Sequence, residues 1–126
     1  VLHQLDALKP AGESIRILCS PSSTGEEPYS IALSLLDEDE IINKRDIELV
    51  GIDIDSNVIA KAKTGVFTKR SVQYVPDELL EEYFTKDGMD YEIVDFIKDA
   101  VNFQVVNVMD KFDMKRLGRF DVIFSR

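Results

Sequence analysis

Apolar residues recur at two spacings along this chain, and each change of spacing marks a boundary between elements. Val1, Leu2, Leu5 and Leu8 follow a helical period before Pro10, which predicts an amphipathic opening helix. Ser14 to Cys19 is short, apolar and isoleucine-rich, and predicts a strand. A loop from Ser20 to Gly25 leads into a helix announced by Pro28, which suits a first helical turn because its missing N–H is not needed there. Ile31, Ala32, Leu35 and Leu36 form the apolar face of that helix, and Asp37 to Glu40 read as its solvated end. Glu48 to Ile52 predicts a second buried strand, ending at Asp53-Ile54-Asp55. The next helix takes Asp55 or Ser56 as N-cap, turns Val58, Ile59 and Ala62 inward, and stops near Gly65.

The second half is less regular. Val75-Pro76-Asp77-Glu78 starts a helix through Leu79, Leu80, Tyr83 and Phe84, and Lys86 to Met89 is a turn signal. Tyr91–Ile97 and Val101–Val108 read as strands, the latter with Val101, Phe103 and Val105 in alternation. Met109, Phe112 and Met114 are interspersed with charged residues and suggest a loop, and Phe120 to Phe124 is a last buried strand. Strands alternating with helices predict an α/β fold with a parallel sheet wound by crossovers, a topology that places ligands where the strands end.

Composition narrows the class of ligand. The 126 residues form one domain, and no apolar run or leader pattern predicts a membrane span or a secretory signal. A single cysteine, Cys19, cannot form an internal disulfide, which fits a reducing cytoplasm. The net charge is −9 and basic residues occur only as scattered pairs such as Lys69-Arg70, so nucleic acid is not expected as a partner. No metal-ligand spacing is present.

The first strand-helix turn decides between nucleotides. It reads Cys19-Ser20-Pro21-Ser22-Ser23-Thr24-Gly25-Glu26-Glu27-Pro28, without the spaced glycines of a dinucleotide site or the Lys-Ser/Thr of a phosphate loop. Two carboxylates stand where a diphosphate would rest, and like charges ~4 Å apart repel by about 4 kcal/mol at an effective dielectric near 20. A cationic adenosyl ligand suits the same residues: a glutamate accepts from an ammonium, and the helix N-terminus offers N–H groups to a carboxylate. The competing reading is that Glu26 and Glu27 simply complement the helix dipole. Asp53, at the end of the second strand, is placed to accept from a ribose diol; the competing role of N-cap falls more naturally to Asp55 or Ser56.

Ser23-Thr24-Gly25-Glu26-Glu27-Pro28-Tyr29-Ser30 resembles the signature of the chemotaxis-receptor glutamate methyltransferases, the CheR family. Gly51 to Asp55, Ala60 to Phe67, Tyr83-Phe84, Asn102-Phe103, Val106 to Val108 and Phe120 to Arg126 resemble further family segments in order and spacing. The resemblance implies a class I methyltransferase, Rossmann-like parallel sheet with flanking helices, occupying residues 1–126 and incomplete at the C-terminus. It also implies a small inserted antiparallel β-subdomain, which the hairpin signals put at about residues 91–103. The implied cofactor is S-adenosyl-L-methionine, with S-adenosyl-L-homocysteine as product.

By the same resemblance Glu27 holds the methionine amino group, Asp53 the ribose, and Asn107 with the backbone of Val108 borders the adenine. The loop around Pro21 passes the methionine portion, and Arg126 occupies a family motif position. Proline departs from the small residues usual at position 21; it removes an N–H donor, which bears on cofactor affinity. The implied reaction esterifies glutamate side chains of a methyl-accepting chemotaxis receptor. The family's arginine and tyrosine near the reacting groups fall outside these residues, so the chain alone is expected to have little or no activity. The turn Lys86 to Asp90 looks shorter and poorer in glycine than in members that dock a receptor pentapeptide, so no such docking is expected. Two alternatives stand beside this reading. One is a different class I methyltransferase, whose first turn should carry a glycine-rich motif absent here; the other is a non-catalytic adenosyl-ligand sensor or interaction domain of the same fold.

Overall fold

A central strand must be apolar on both faces, and two segments of this chain meet that demand. In the computed structural model, which describes residues 14–37 and 47–125, β1 (Ile15–Ser20) and β2 (Ile47–Asp53) lie side by side and parallel, with Leu18 opposite Val50 and Cys19 opposite Gly51. β6 (Val101–Val105) extends the sheet beyond β2, and β7 (Val122–Ser125) adds to the other side of β1, giving the order β6-β2-β1-β7 with every pairing parallel. The chain thus builds outward from β1 and then returns across it. The reversal opens a crevice at the carboxyl ends of β1 and its neighbours, where open α/β sheets bind ligands.

Period-two alternation sorts the strand residues onto two cores. Ile15, Ile17, Leu49, Val101 and Phe103 pack with Tyr29, Ala32, Leu33 and Leu35 of α1 (Glu26–Asp37) and Ile59 and Ala62 of α2 (Ser56–Thr64). Leu18, Val50, Ile52 and Val106 pack with Leu117, Met114 and Phe120 on the opposite face, which α5 (Lys111–Leu117) covers. Tyr29 joins these elements. Its hydroxyl donates to the Ala62 carbonyl at 2.8 Å, and its ring lies edge-on to Phe67 and Phe103 at 5.7 and 5.4 Å.

A second sheet is antiparallel, in the order β3-β5-β4, from Val66–Thr68, Asp90–Ile93 and Phe84–Asp87. The short helix α3 (Asp77–Tyr83) lies between β3 and β4 in sequence, and α4 (Asp95–Lys98) follows β5. The expected subdomain span of about 91–103 therefore needs correction. Its strands come from both before and after α3, and Val101–Val105 belongs to the parallel sheet, paired with β2 from Leu49↔Val101 to Asp53↔Val105. Alternation in a strand assigns faces but not a neighbour, so the apolar pattern of Val101–Val105 suits either sheet. The run Tyr91–Ile97 also divides after Ile93, into a strand and a helical turn that buries Ile97 and exposes Phe96.

The stretch from Met109 to Lys115, expected as a loop, is mostly helix. Asp110 is the N-cap of α5 and accepts from the N–H groups of Phe112 and Asp113, a start signal masked by the surrounding charge. The expectations for α2 hold: Asp55 is its N-cap, and Gly65 its left-handed C-cap. The predicted opening helix and the acidic residues 38–40 lie outside the described residues.

Gly65 is the joint between the two sheets. Its N–H returns to Ala62 at 3.1 Å, and its carbonyl accepts from Ile93 at 2.8 Å. With φ at +65°, a Cβ here would stand 2.7 Å from Ile93 Cγ2 and 2.8 Å from Lys98 Cε. The Lys98 ammonium pairs with Glu92 and, at 3.5 Å, with Asp95. The Glu92 hydrogen bond raises the Lys98 pKa above the ordinary lysine value against the opposing pull of burial. Gly65→Ala is expected to destabilise the fold by on the order of 2 kcal/mol through backbone strain and overpacking, read from urea unfolding; an unchanged midpoint would refute the joint.

Candidate functional site

The turn after β1 is built from backbone hydrogen bonds to the end of β2. The Ser22 N–H donates to the Ile52 carbonyl at 2.7 Å, and Ser22 is buried. The Ser23 N–H donates to Asp53 Oδ2 at 3.2 Å, while Asp53 Oδ1 accepts from the Asp55 N–H at 3.0 Å. Ser23 takes a positive φ of 51°, and Gly25 follows at 97°. A Cβ on Gly25 would lie 3.1 Å from both the Phe103 and Tyr29 rings, so the turn presses closely on the core as it enters α1. Pro21 is exposed at the end of β1 and follows a cis peptide bond.

The two glutamates of the first helical turn have different surroundings. The Thr24 hydroxyl donates to the Glu26 carboxylate. Glu27 is half-buried, and among the described residues its carboxylate has no hydrogen-bond or ion-pair partner. Burial pushes the Cys19 thiol up to about 12, with the negative charge of Glu27 adding to the shift, which puts that carboxylate near the end of β1. The first backbone bond of the helix runs from Tyr29 N–H to the Gly25 carbonyl at 3.1 Å, so the N–H groups of Glu26 and Glu27 stand ahead of the ladder. Tyr29 is likewise pushed up to about 12 by burial. Neither Cys19 nor Tyr29 is a base or a nucleophile at neutral pH.

The third wall follows β6. The Val106 N–H donates to the Asp53 carbonyl at 3.0 Å, which brings Asn107 and Val108 beside the end of β2. Asn107 Oδ1 accepts from the Met109 N–H at 2.9 Å, and Val108 is half exposed. Ile54 is 66% exposed directly after Asp53. Sequence reasoning passed over Ile54; an apolar residue in an otherwise polar turn was the available signal. Glu27, Pro21, Asp53, Asn107 and Val108 thus gather at the carboxyl ends of β1, β2 and β6, whereas Arg126 lies outside the described residues. No cluster of His, Cys, Asp or Glu suited to a metal occurs among the described residues, and no helix among them is long and apolar enough to cross a membrane.

Parallel order β6-β2-β1-β7, a crevice at the chain reversal, and acids at the ends of β1 and β2 define a class I methyltransferase fold. The profile of the CheR methyltransferase, SAM binding domain, matches residues 1–126, and the chain belongs to that family. It is 42% identical over 117 residues to chemotaxis protein methyltransferase 2 of Vibrio cholerae, an alignment covering 91% of this chain and 40% of that protein. It is 35% identical over 119 residues to a Campylobacter jejuni chemotaxis protein methyltransferase, covering 94% and 44%. The probable biofilm formation methyltransferase WspC of Pseudomonas aeruginosa is 32% identical over 117 residues, covering 91% and 27%. The chain thus spans less than half the length of these curated relatives.

S-adenosylmethionine is the cofactor of this domain family. The residues present fit it. A half-buried carboxylate without a donor suits an ammonium, and an aspartate that accepts only one N–H per oxygen retains lone pairs for a diol. Cys19 offers a test of how tightly the first turn is sealed. Its thiol in the native protein is expected to react with iodoacetamide at pH 8 at least about 100-fold more slowly than in the unfolded chain; comparable rates would show the turn to be open.

Proposed function

We propose that this chain is the cofactor-binding core of an S-adenosylmethionine-dependent protein-glutamate O-methyltransferase acting in the cytoplasm on a methyl-accepting receptor of the chemotaxis type. The observation that carries this reading is the unpartnered carboxylate of Glu27 beside the loop held by Asp53. Its likeness to a chemotaxis protein methyltransferase and a probable biofilm formation methyltransferase supports the substrate class.

In this reading Glu27 accepts from the ammonium of the methionine portion. Asp53 accepts from the ribose hydroxyls with the lone pairs its backbone donors leave free. Ile54 and Val108 flank the base, Asn107 borders it, and Pro21 belongs to the rim at the methionine end; Arg126, by its motif position, also contacts the cofactor. When bound, S-adenosylmethionine supplies an electrophilic methyl group on a sulfonium. The accepting glutamate is already an anion at neutral pH, so the chain need not remove a proton from it. Its contribution is alignment and exclusion of water, and the inert Cys19 and Tyr29 offer no competing acceptor.

Pro21 favours one alternative, a non-catalytic sensor or interaction domain of the same fold, because it withholds a backbone donor from the cofactor at the rim. Titration of the native protein with S-adenosylhomocysteine tests the site. Glu27→Gln and Asp53→Asn are each expected to weaken binding by about 10- to 100-fold, as loss of a charged hydrogen bond does. Unweakened binding in both variants would exclude these roles.

A methyl-transfer assay on receptor tests the activity. The native protein is expected to methylate receptor with or without its terminal pentapeptide equally well, and residues 1–126 alone to show no turnover. Dependence on the peptide, or turnover by the isolated chain, would contradict the corresponding part of the proposal; binding without receptor methylation would favour a different class I methyltransferase, and no binding a non-catalytic domain.

A further inference from the structure

We infer that the open edge of β6 is a self-pairing surface, along which a second copy of this chain adds its own β6, antiparallel, across a two-fold axis. β6 ends the parallel sheet, with β2 on one side and no strand on the other. A strand with a single neighbour turns the N–H and C=O groups of alternate residues away from the sheet. Among the described residues, no hydrogen bond outside the β2 ladder reaches Val101–Val105. A groove lined by Lys63 of α2, Lys98 at the end of α4, Asp99, Val101, Asn102 and Phe103 lies beside the strand. Asn102 is exposed, and Val105 is half exposed.

Exposed sheet edges are normally guarded by charge, and this one is not. From Ala100 to Met109 the chain has no charged residue, although 31% of the whole is charged. At the edges of the antiparallel sheet, by contrast, β4 carries Lys86 and Asp87, and Lys69-Arg70 follow β3. With a net charge of −9 on each copy, an uncharged strand is where two copies can approach without repulsion. The order of residues on β6 then selects the partner. Val-Asn-Phe-Gln-Val reads nearly alike in both directions. Reversed on itself about Phe103, it sets Val101 against Val105, Asn102 against Gln104 and Phe103 against Phe103. Apolar residues therefore meet on one face of the extended sheet and hydrogen-bonding amides on the other. β7, at the opposite end of the sheet, is also uncharged, but its reversal sets Val122 against Ser125 and is not matched. A contact of the β6 kind is self-complementary and closes at two copies. It runs the two parallel sheets in opposite directions, so that the two cofactor crevices face opposite ways.

Sedimentation equilibrium of the native protein over a range of concentrations reads the assembly, and wild type is expected to be a concentration-dependent dimer. The register makes the test specific, because residue 102 of one copy faces residue 104 of the other. Asn102→Glu with Gln104→Glu sets like charges face to face and should weaken the dimer by at least about tenfold. Asn102→Lys with Gln104→Glu changes the same two positions but sets opposite charges face to face, and should retain the dimer. Asn102→Lys with Gln104→Lys should dissociate as well, and covers the case in which the double glutamate variant fails to fold. Hydrogen exchange locates the contact: amides within Val101–Val105 should be better protected at high protein concentration than at low. A wild type that stays monomeric at every concentration would leave the edge to some other chain and overturn the inference. Equal dimerisation of all three variants, loss of the dimer in the folded Lys/Glu variant, or exchange in β6 that ignores concentration would overturn it too.

Discussion

The first loop of this fold rests on the end of the second strand, and the crevice depends on that contact. Parallel strands end with backbone groups that have no further ladder to join. Here the Ile52 carbonyl takes the Ser22 N–H, and the Asp53 carboxylate takes that of Ser23. The left-handed turn at Ser23 and Gly25 is held on one side by these bonds and on the other by Phe103 and Tyr29. The same aspartate binds its own turn through Asp55, and its carbonyl holds the chain leaving β6. One residue therefore fixes three walls of the crevice while its carboxylate stays at the surface of the site.

The electrostatics follow from that placement. Phosphate ligands are disfavoured by adjacent carboxylates at a helix N-terminus, whereas a cation is welcome there. Of the two glutamates, Glu26 is engaged by Thr24, and Glu27 has no partner among the described residues. Burial meanwhile raises the nearby thiol of Cys19 and phenol of Tyr29, so neither is ionised at neutral pH.

Most of the α/β organisation was legible in the sequence because it depends on local signals. Isoleucine-rich runs marked β1 and β2, and Asp55 and Gly65 marked both ends of α2. Glu27 and Asp53 stood out as acids at strand ends, where a motif of neighbouring residues is fixed by chain geometry. The errors have a common cause. Val101–Val105, Tyr91–Ile97 and the region from Met109 to Lys115 are short segments whose patterns suit more than one structure, so their partners decided the outcome.

What the sequence determined by itself was the succession of elements, the two-faced burial of the central strands and the chemical character of the first turn. These follow from side-chain period and charge, which act over a few residues. Tertiary structure decided which strand joined which sheet, which of two neighbouring glutamates was left free, and that Ile54 would stand exposed beside Asp53. Each of those depends on a contact between residues distant in the chain or on the path of a loop, and periodicity carries no information about either.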